Sequence, residues 1–195
     1  MRRDLLPSVI AIVLLTLSFG VAYPLATTGV AQVLFPGKAD GSRIERDGKV
    51  VGSRLIGQDF RGRPRYFQSR PSATDYSANV TYFNNLGPNS RKLRGQLAKS
   101  LAAYLKRERA YDPGLRASDV PADAVTRSGS GVDPHISKAN ARIQARRVAD
   151  VRGLPLRRVL ELVDDNTDGR ALGVLGEPSV NVLELNLALD REASR

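Results

Sequence analysis

The chain contains no cysteine, and His135 is its single histidine. It therefore has no disulfide framework and no thiolate chemistry, and it is short of the ligands a structural zinc site needs. An oxidising compartment permits disulfides without requiring them, so their absence does not oppose export. Charge of either sign is missing from Leu5 through Gly37, between Asp4 and Lys38. There is no G-K-[ST] after a glycine loop, as a Walker site needs. No RNP-like or helix-turn-helix signature is present, no carboxylate pair has acid–base spacing, and no internal repeat or low-complexity tract is visible.

The uncharged run, VIAIVLLTLSFGVAYPLATTGVAQVLF at its heart, is apolar on every helical face. A buried helix of a soluble domain would carry a polar stripe. Ser8 to Ala31 makes a helix of about 36 Å, enough to cross a hydrocarbon core of about 30 Å with tilt. A cleaved signal is the competing reading, with Arg2 and Arg3 as its basic start. The run exceeds a typical signal core and ends in no A-x-A site, which favours a retained anchor. Pro24 removes a backbone donor and predicts a kink. Thr16, Ser18, Thr27 and Thr28 can bond backbone carbonyls or a neighbouring helix, while Phe19, Tyr23 and Phe35 suit a lipid-facing or interfacial surface. Two arginines in the short N-terminal flank predict a cytoplasmic N-terminus, because long translocated domains largely escape the positive-inside rule. The expected layout is a cytoplasmic stub at 1–7, a transmembrane helix at 8–31, a linker at 32–41 and one extracytoplasmic α+β domain at 42–195.

Thirty basic residues stand against twenty acidic ones. Setting aside Arg2, Arg3 and Asp4 leaves 28 against 19, or +9, for the rest of the chain. A tethered extracytoplasmic domain rarely meets nucleic acid, so solubility and attraction to anionic membrane lipid are the preferred meanings of this charge.

Asp47-Gly48 predicts a hairpin within SRIERDGKVVGSRLIG. Gln58–Ala73 reads as ordered loop with one further strand near Tyr66-Phe67, and 74–88 as a surface loop. Asn89 or Ser90 can cap a helix carrying Leu93, Leu97, Leu101, Tyr104 and Leu105, which Pro113-Gly114 stops after a basic last turn. Thr126–Ser137 reads as a glycine-bearing loop. Ser137 then caps a helix to about Val151, and Leu154–Asp164 forms another. Leu183, Leu185, Leu187 and Leu189 alternate like a strand, whereas Asn181-x-x-Glu184 resembles a capping box. A strand ending near Val180 and a helix from Asn181 reconcile the two.

Thr126–Ser137 (TRSGSGVDPHIS) is the most unusual local string. Ser128, Ser130, Asp133 and His135 bring a membrane-anchored hydrolase to mind, but triads are assembled by a scaffold rather than by neighbours in one loop. Ser128, Gly129, Ser130 and Gly131 can form an anion nest of backbone amides; the competing reading is a tight loop capping the next helix. His135 has no partner histidine, which favours a structural role. The arginines at 142, 146, 147, 152, 157 and 158 read as a solvated basic face. Tyr66, Phe67 and Arg70 form either a recognition ledge or a packed core edge. From the residues alone, a free-standing protein that binds anionic surfaces is a further possibility.

Six separated strings carry a more specific signal: YPLATTGVAQVLFP (23–36), GSRLIGQDF (52–60), YFQSRPSATDY (66–76), NNLGPNS (84–90), VTRSGSGVDPHIS (125–137) and LGEPSVNVLELNLALD (175–190). In this order they resemble, over nearly the whole chain, the C-subunit (KdpC) family of the Kdp potassium-transporting P-type ATPase. The resemblance implies a non-catalytic accessory subunit in the inner membrane, partnered by a channel-like potassium-binding subunit and an ATP-hydrolysing subunit. It also implies a role in assembly and as a catalytic chaperone, with no firmly bound cofactor and with ATP met in a ternary complex. Gln144 matches the family's proposed nucleotide-contacting glutamine, although a domain outside the cytoplasm has no ready access to ATP. Tyr23, Pro24, Tyr66, Phe67, Arg70, Asp133, His135, Asn181 and Asn186 lie in or near the matching strings and are the partner-contact candidates. Residues 77–85 (SANVTYFNN) depart from the family pattern.

Overall fold

The computed structural model describes residues 2–77 and 85–192; nearly all of the divergent 77–85 stretch lies outside them. The chain divides into two compact units, 1–53 and 54–195.

The first unit begins with helix α1 (Arg2–Leu17), a π turn (Ser18–Ala22) and helix α2 (Tyr23–Leu34). Asp4–Leu34 is a continuous apolar span of 31 residues, and none of its most apolar stretch is buried within the chain. At 1.5 Å per residue it covers about 46 Å, more than a bilayer core. The π turn lies just before Pro24, and the Tyr23 amide reaches back five residues to Ser18 O. The Thr27 hydroxyl donates to the carbonyls of Tyr23 and Pro24. A short helix α3 (Pro36–Ala39) leads into strands β1 (Arg43–Arg46) and β2 (Lys49–Ser53). These pair antiparallel with a bulge at Ile44/Glu45. Asp47 and Gly48 both take positive φ, at 53° and 73°, the conformation that a two-residue hairpin turn demands.

The second unit is helical, with one small sheet. Helix α4 (Arg91–Glu108) is capped by Ser90, whose Oγ accepts from Leu93 N. Two 3-10 turns follow, Ala117–Asp119 and Ala122–Ala124, then strand β3 (His135–Ser137) and helix α5 (Lys138–Arg152). Ser137 caps α5, and Gly153 ends it with φ +65°, a left-handed C-terminal stop. Helix α6 (Leu156–Asp165), strands β4 (Thr167–Asp168) and β5 (Ser179–Asn181) and helix α7 (Val182–Glu192) complete the unit. The sheet runs β3-β5-β4, all antiparallel, with Ile136 and Thr167 flanking Val180.

Helix α5 lies at the centre. Ala141, Ala145 and Val148 form a buried apolar stripe on α5, which packs on α6, and α6 packs in turn on α7; Val159 and Val163 of α6 and Leu185 and Leu189 of α7 are likewise nearly solvent-free. The alternating leucines near the C-terminus belong to a helix, as the capping signal suggested: Asn181 Oδ1 accepts from Glu184 N. No strand forms at Tyr66-Phe67, contrary to the sequence expectation. Side chains, rather than a neighbouring strand, satisfy the backbone there.

Candidate functional site

Asn140, Gln144 and Arg147 recur at i, i+4 and i+7 on α5, beside the apolar stripe, and all three are buried. Gln144 faces the loop segment 64–68. Its Oε1 accepts from Gln68 N at 2.8 Å and its Nε2 donates to Gln68 O at 3.1 Å. Asn186 repeats the arrangement one residue earlier, accepting from Phe67 N and donating to Phe67 O at 2.8 and 2.9 Å. Two carboxamides thus stand in for a paired strand. Arg147 adds bonds to the carbonyls of Pro64 and Tyr66, and Arg152 Nε donates to Arg65 O.

The network continues on both sides. Gln144 Nε2 also donates to Asn140 Oδ1, which accepts the Tyr104 hydroxyl as well. Asn140 Nδ2 donates to Asp123, whose carboxylate also takes both the amide and the hydroxyl of Ser137. At the other end Gln144 Oε1 accepts from Arg147 Nη2, and Arg147 Nε pairs with both oxygens of Glu108. The Arg147–Glu108 pair is solvent-free, at 0% and 1% side-chain exposure. Desolvation pulls the Arg147 pKa down, opposed by the adjacent Glu108 carboxylate. Burial pushes the Tyr104 hydroxyl up, and Tyr76 to about 12.

The outer side of this network borders a cleft of about 260 Å³ lined in part by Gln68, Gln144, Tyr104, Arg61, Arg107 and Arg127. Arg107 stacks on the Tyr104 ring and pairs with Glu108. Arg61 stacks on the Tyr76 ring and pairs with Asp59 and Asp75. Hydrogen bonding to Arg61 holds the Asp59 pKa low. Every polar atom of the Gln144 amide already has protein partners, so a ligand in the cleft meets it only by displacing some of them.

The SGSG loop is internally bonded. Ser128 N donates to Pro71 O, while Gly131 N and Val132 N donate to the hydroxyls of Ser128 and Ser130. Two of the four amides that the anion nest would draw on, those of Ser128 and Gly131, are thereby engaged. Gly131 has φ +74°, and a Cβ there would lie 2.6 Å from Thr74 Oγ1, so the loop packs too closely for any other residue. Neither serine bonds to His135. That imidazole lies between Asp133 at 3.8 Å and Asp168 at 3.5 Å. Among the described residues no group of His, Asp and Glu is disposed to hold a metal.

Residues 5–191 match the family described as "K+-transporting ATPase, c chain". The chain belongs to the KdpC family. A protein of Rhodospirillum rubrum named "Potassium-transporting ATPase KdpC subunit" is 54% identical over 192 residues, covering 97% of this chain and 96% of its own. One of the same name from Mycobacterium bovis is 48% identical over 193 residues, at 98% and 100% coverage. A third, from Polaromonas naphthalenivorans, is 52% identical over 193 residues, at 97% and 95%. KdpC is a subunit of the potassium-transporting ATPase, and the apolar span Asp4–Leu34 suits a membrane-associated transporter subunit.

Within this KdpC fold the candidate contact residues separate by depth. Phe67, Asn181 and Asn186 are buried, and Asn181 Nδ2 holds Arg54 O. Tyr66 is half-buried, donating to Asp190 and covered by the Arg152 guanidinium. Arg70 bridges to Asp133, Thr126 and the Arg127 carbonyl, and its Nε is buried without a partner among the described residues. Tyr23 and Pro24 are exposed on α2. The basic face read from the sequence is split in the fold. Arg147 and Arg152 turn inward to Glu108 and Asp190, while Arg142, Arg146 and Arg157 remain exposed. Glu108 was missed; a glutamate among basic neighbours at a helix end gives no sign of burial. The one available signal was polar Asn140 and Gln144 at helical spacing beside the apolar stripe.

Proposed function

We propose that the chain is a non-catalytic accessory subunit of an ATP-driven high-affinity potassium uptake complex, contributing to its assembly and stability. On this reading residues 8–31 cross the inner membrane, 1–7 face the cytoplasm, 32–41 link, and 42–195 lie on the extracytoplasmic side. The channel-like potassium-binding subunit and the ATP-hydrolysing subunit are its partners. The observation that carries the proposal is the apolar span Asp4–Leu34, free of charge from Leu5 onward and with none of its most apolar stretch buried. Such a helix needs lipid or other membrane helices around it. The second unit is consistent with the same reading: the hydroxyls of Ser128 and Ser130 accept from amides of their own loop, and His135 lies between Asp133 and Asp168 rather than against either serine. Co-purification in detergent with the other ATPase subunits tests it, and recovery of a lone monomer would overturn it. Replacing Ser128, Ser130 and His135 together should leave the chemical turnover of any complex that still assembles unchanged. A loss of turnover in fully assembled complex would support the hydrolase alternative instead.

The arginine-lined cleft beside Gln144 favours a second, nucleotide-linked reading, in which the subunit raises the ATP affinity of its hydrolytic partner. Its volume, about 260 Å³, falls below the roughly 300–1,000 Å³ of small-molecule pockets, and an extracytoplasmic domain is separated from ATP. We therefore place any influence on ATP use in the stabilisation of the assembly. ATP binding to the purified chain at millimolar nucleotide would contradict that choice.

A further inference from the structure

Helix α4 carries charge of one sign that the second unit leaves unanswered. From Tyr76 through Arg107 the sequence holds six cations and no carboxylate. Arg107 is turned to Glu108 and the Tyr104 ring. The other five, Arg91, Lys92, Arg94, Lys99 and Lys106, are exposed on α4, and among the described residues none of them has an ion-pair partner. The nearest carboxylates in sequence, Asp75, Glu108 and Asp112, pair with Arg61, Arg147 and Arg146 instead. The remaining exposed residues of α4 are all small: Gly95, Ala98, Ala102 and Ala103. At 3.6 residues per turn these small residues and the five cations share one side of the helix. The leucines of α4 and Tyr104 lie at half-buried or buried positions on the other.

Charge selects an anionic partner, and two further observations select a lipid surface. Lysine and alanine are depleted at protein–protein interfaces, which depend on large side chains seated in desolvated pockets. This face offers no aromatic or large aliphatic side chain to fill one. A layer of lipid phosphates asks for none, and its surface potential attracts each cation that comes close. The same polypeptide carries the apolar span Asp4–Leu34, so a bilayer that accepts this span stays within reach of the second unit at high effective concentration.

We propose that the exposed face of α4 rests on the head groups of anionic phospholipid, its lysines and arginines paired with lipid phosphates. This rests on the membrane-anchor part of the accessory-subunit reading. Because the chain has no cysteine, Ala98→Cys in the full-length chain takes a single bimane label on this face. Arg157→Cys, at a position 91% exposed on α6, takes the control label. The labelled chains are reconstituted into phosphatidylcholine vesicles, with and without phosphatidylglycerol, in which some head groups carry a nitroxide quencher. The expected result is quenching at position 98 that requires phosphatidylglycerol and vanishes at high salt. It should also be lost when Arg91→Gln, Lys92→Gln, Lys99→Gln and Lys106→Gln are combined, and should persist when the other ATPase subunits are co-reconstituted. Quenching that ignores phosphatidylglycerol or salt, survives the glutamines or is equal from position 157 overturns the proposal. So does quenching that disappears once the other subunits are present, which would assign this face to an acidic protein surface. Flotation of the vesicles separates the two readings. A chain that does not float with them removes the anchor and the α4 contact with it, whereas a chain that floats without phosphatidylglycerol-dependent quenching removes only the α4 contact.

Discussion

Replacing Gln144 with leucine separates a structural role for this residue from direct nucleotide contact. Leucine keeps much of the volume but leaves Gln68 N, Gln68 O and Arg147 Nη2 each without a buried partner. Each orphaned group costs about 1–3 kcal/mol, and partial relaxation brings the expected total to about 3–6 kcal/mol. A domain's whole stability is about 5–15 kcal/mol. At about 3 °C per kcal/mol for a unit of this size, the unfolding midpoint of the detergent-solubilised chain should fall by about 10–20 °C, read by near-ultraviolet circular dichroism of the tyrosines. Asn186→Leu deprives Phe67 of the equivalent bonds and should give a drop of similar size, although Asn186 is not on the cleft wall. In the assembled ATPase both variants should lower the yield of complex in parallel and leave the KM for ATP of surviving complex unchanged. A midpoint shift under about 3 °C for Gln144→Leu, combined with a raised KM absent from Asn186→Leu, would refute this reasoning.

Removing one partner of the buried Arg147–Glu108 pair, as in Glu108→Ala, should cost about 3–5 kcal/mol in denaturant unfolding because a solvent-free guanidinium is left uncompensated. Gly57→Ala should also destabilise strongly, since a Cβ there would lie 2.5 Å from the Asp133 carbonyl oxygen; the midpoint of thermal unfolding checks this, and an unchanged midpoint would show that the 57 and 133 backbones separate easily. Burial raises the Tyr76 pKa from 10 to about 12, so folding favours its protonated form. Its contribution to stability is full below pH 10 and is lost as pH rises through about 12. A tyrosinate absorbance titration should show a late class of tyrosines that appears together with unfolding. Ser137→Ala removes the cap of α5 and one ligand of Asp123, which should cost about 1–2 kcal/mol by urea titration.

The local signals in the sequence were strong where a single residue type decides the backbone. Ser90 and Ser137 cap the helices assigned to them, Gly153 stops α5, and Asp47-Gly48 turns the hairpin. Pro24 predicted a kink, and gave no sign of the π turn that lies just before it. Tyr66-Phe67 shows the limit. Its aromatic composition suits a strand, but the Asn186 carboxamide of α7 holds both backbone groups of Phe67 and Arg147 of α5 holds the Tyr66 carbonyl, residues distant in sequence. Arg147 illustrates the same difficulty, because a basic residue among others reads as surface until tertiary packing supplies Glu108. Of the site candidates, Gln144 was singled out by resemblance, while its role in bracing segment 64–68 depends on contacts that no periodicity encodes.

On the reading proposed above, this chain acts as a membrane-anchored subunit of a larger ATPase and not alone. Affinity purification of the tagged full-length chain from mild detergent, followed by quantitation of every co-eluting polypeptide, tests it most directly. The expected outcome is recovery in fixed stoichiometry with the potassium-binding and ATP-hydrolysing subunits, retained through size-exclusion chromatography. Elution of the folded chain by itself, with neither subunit present, would contradict it.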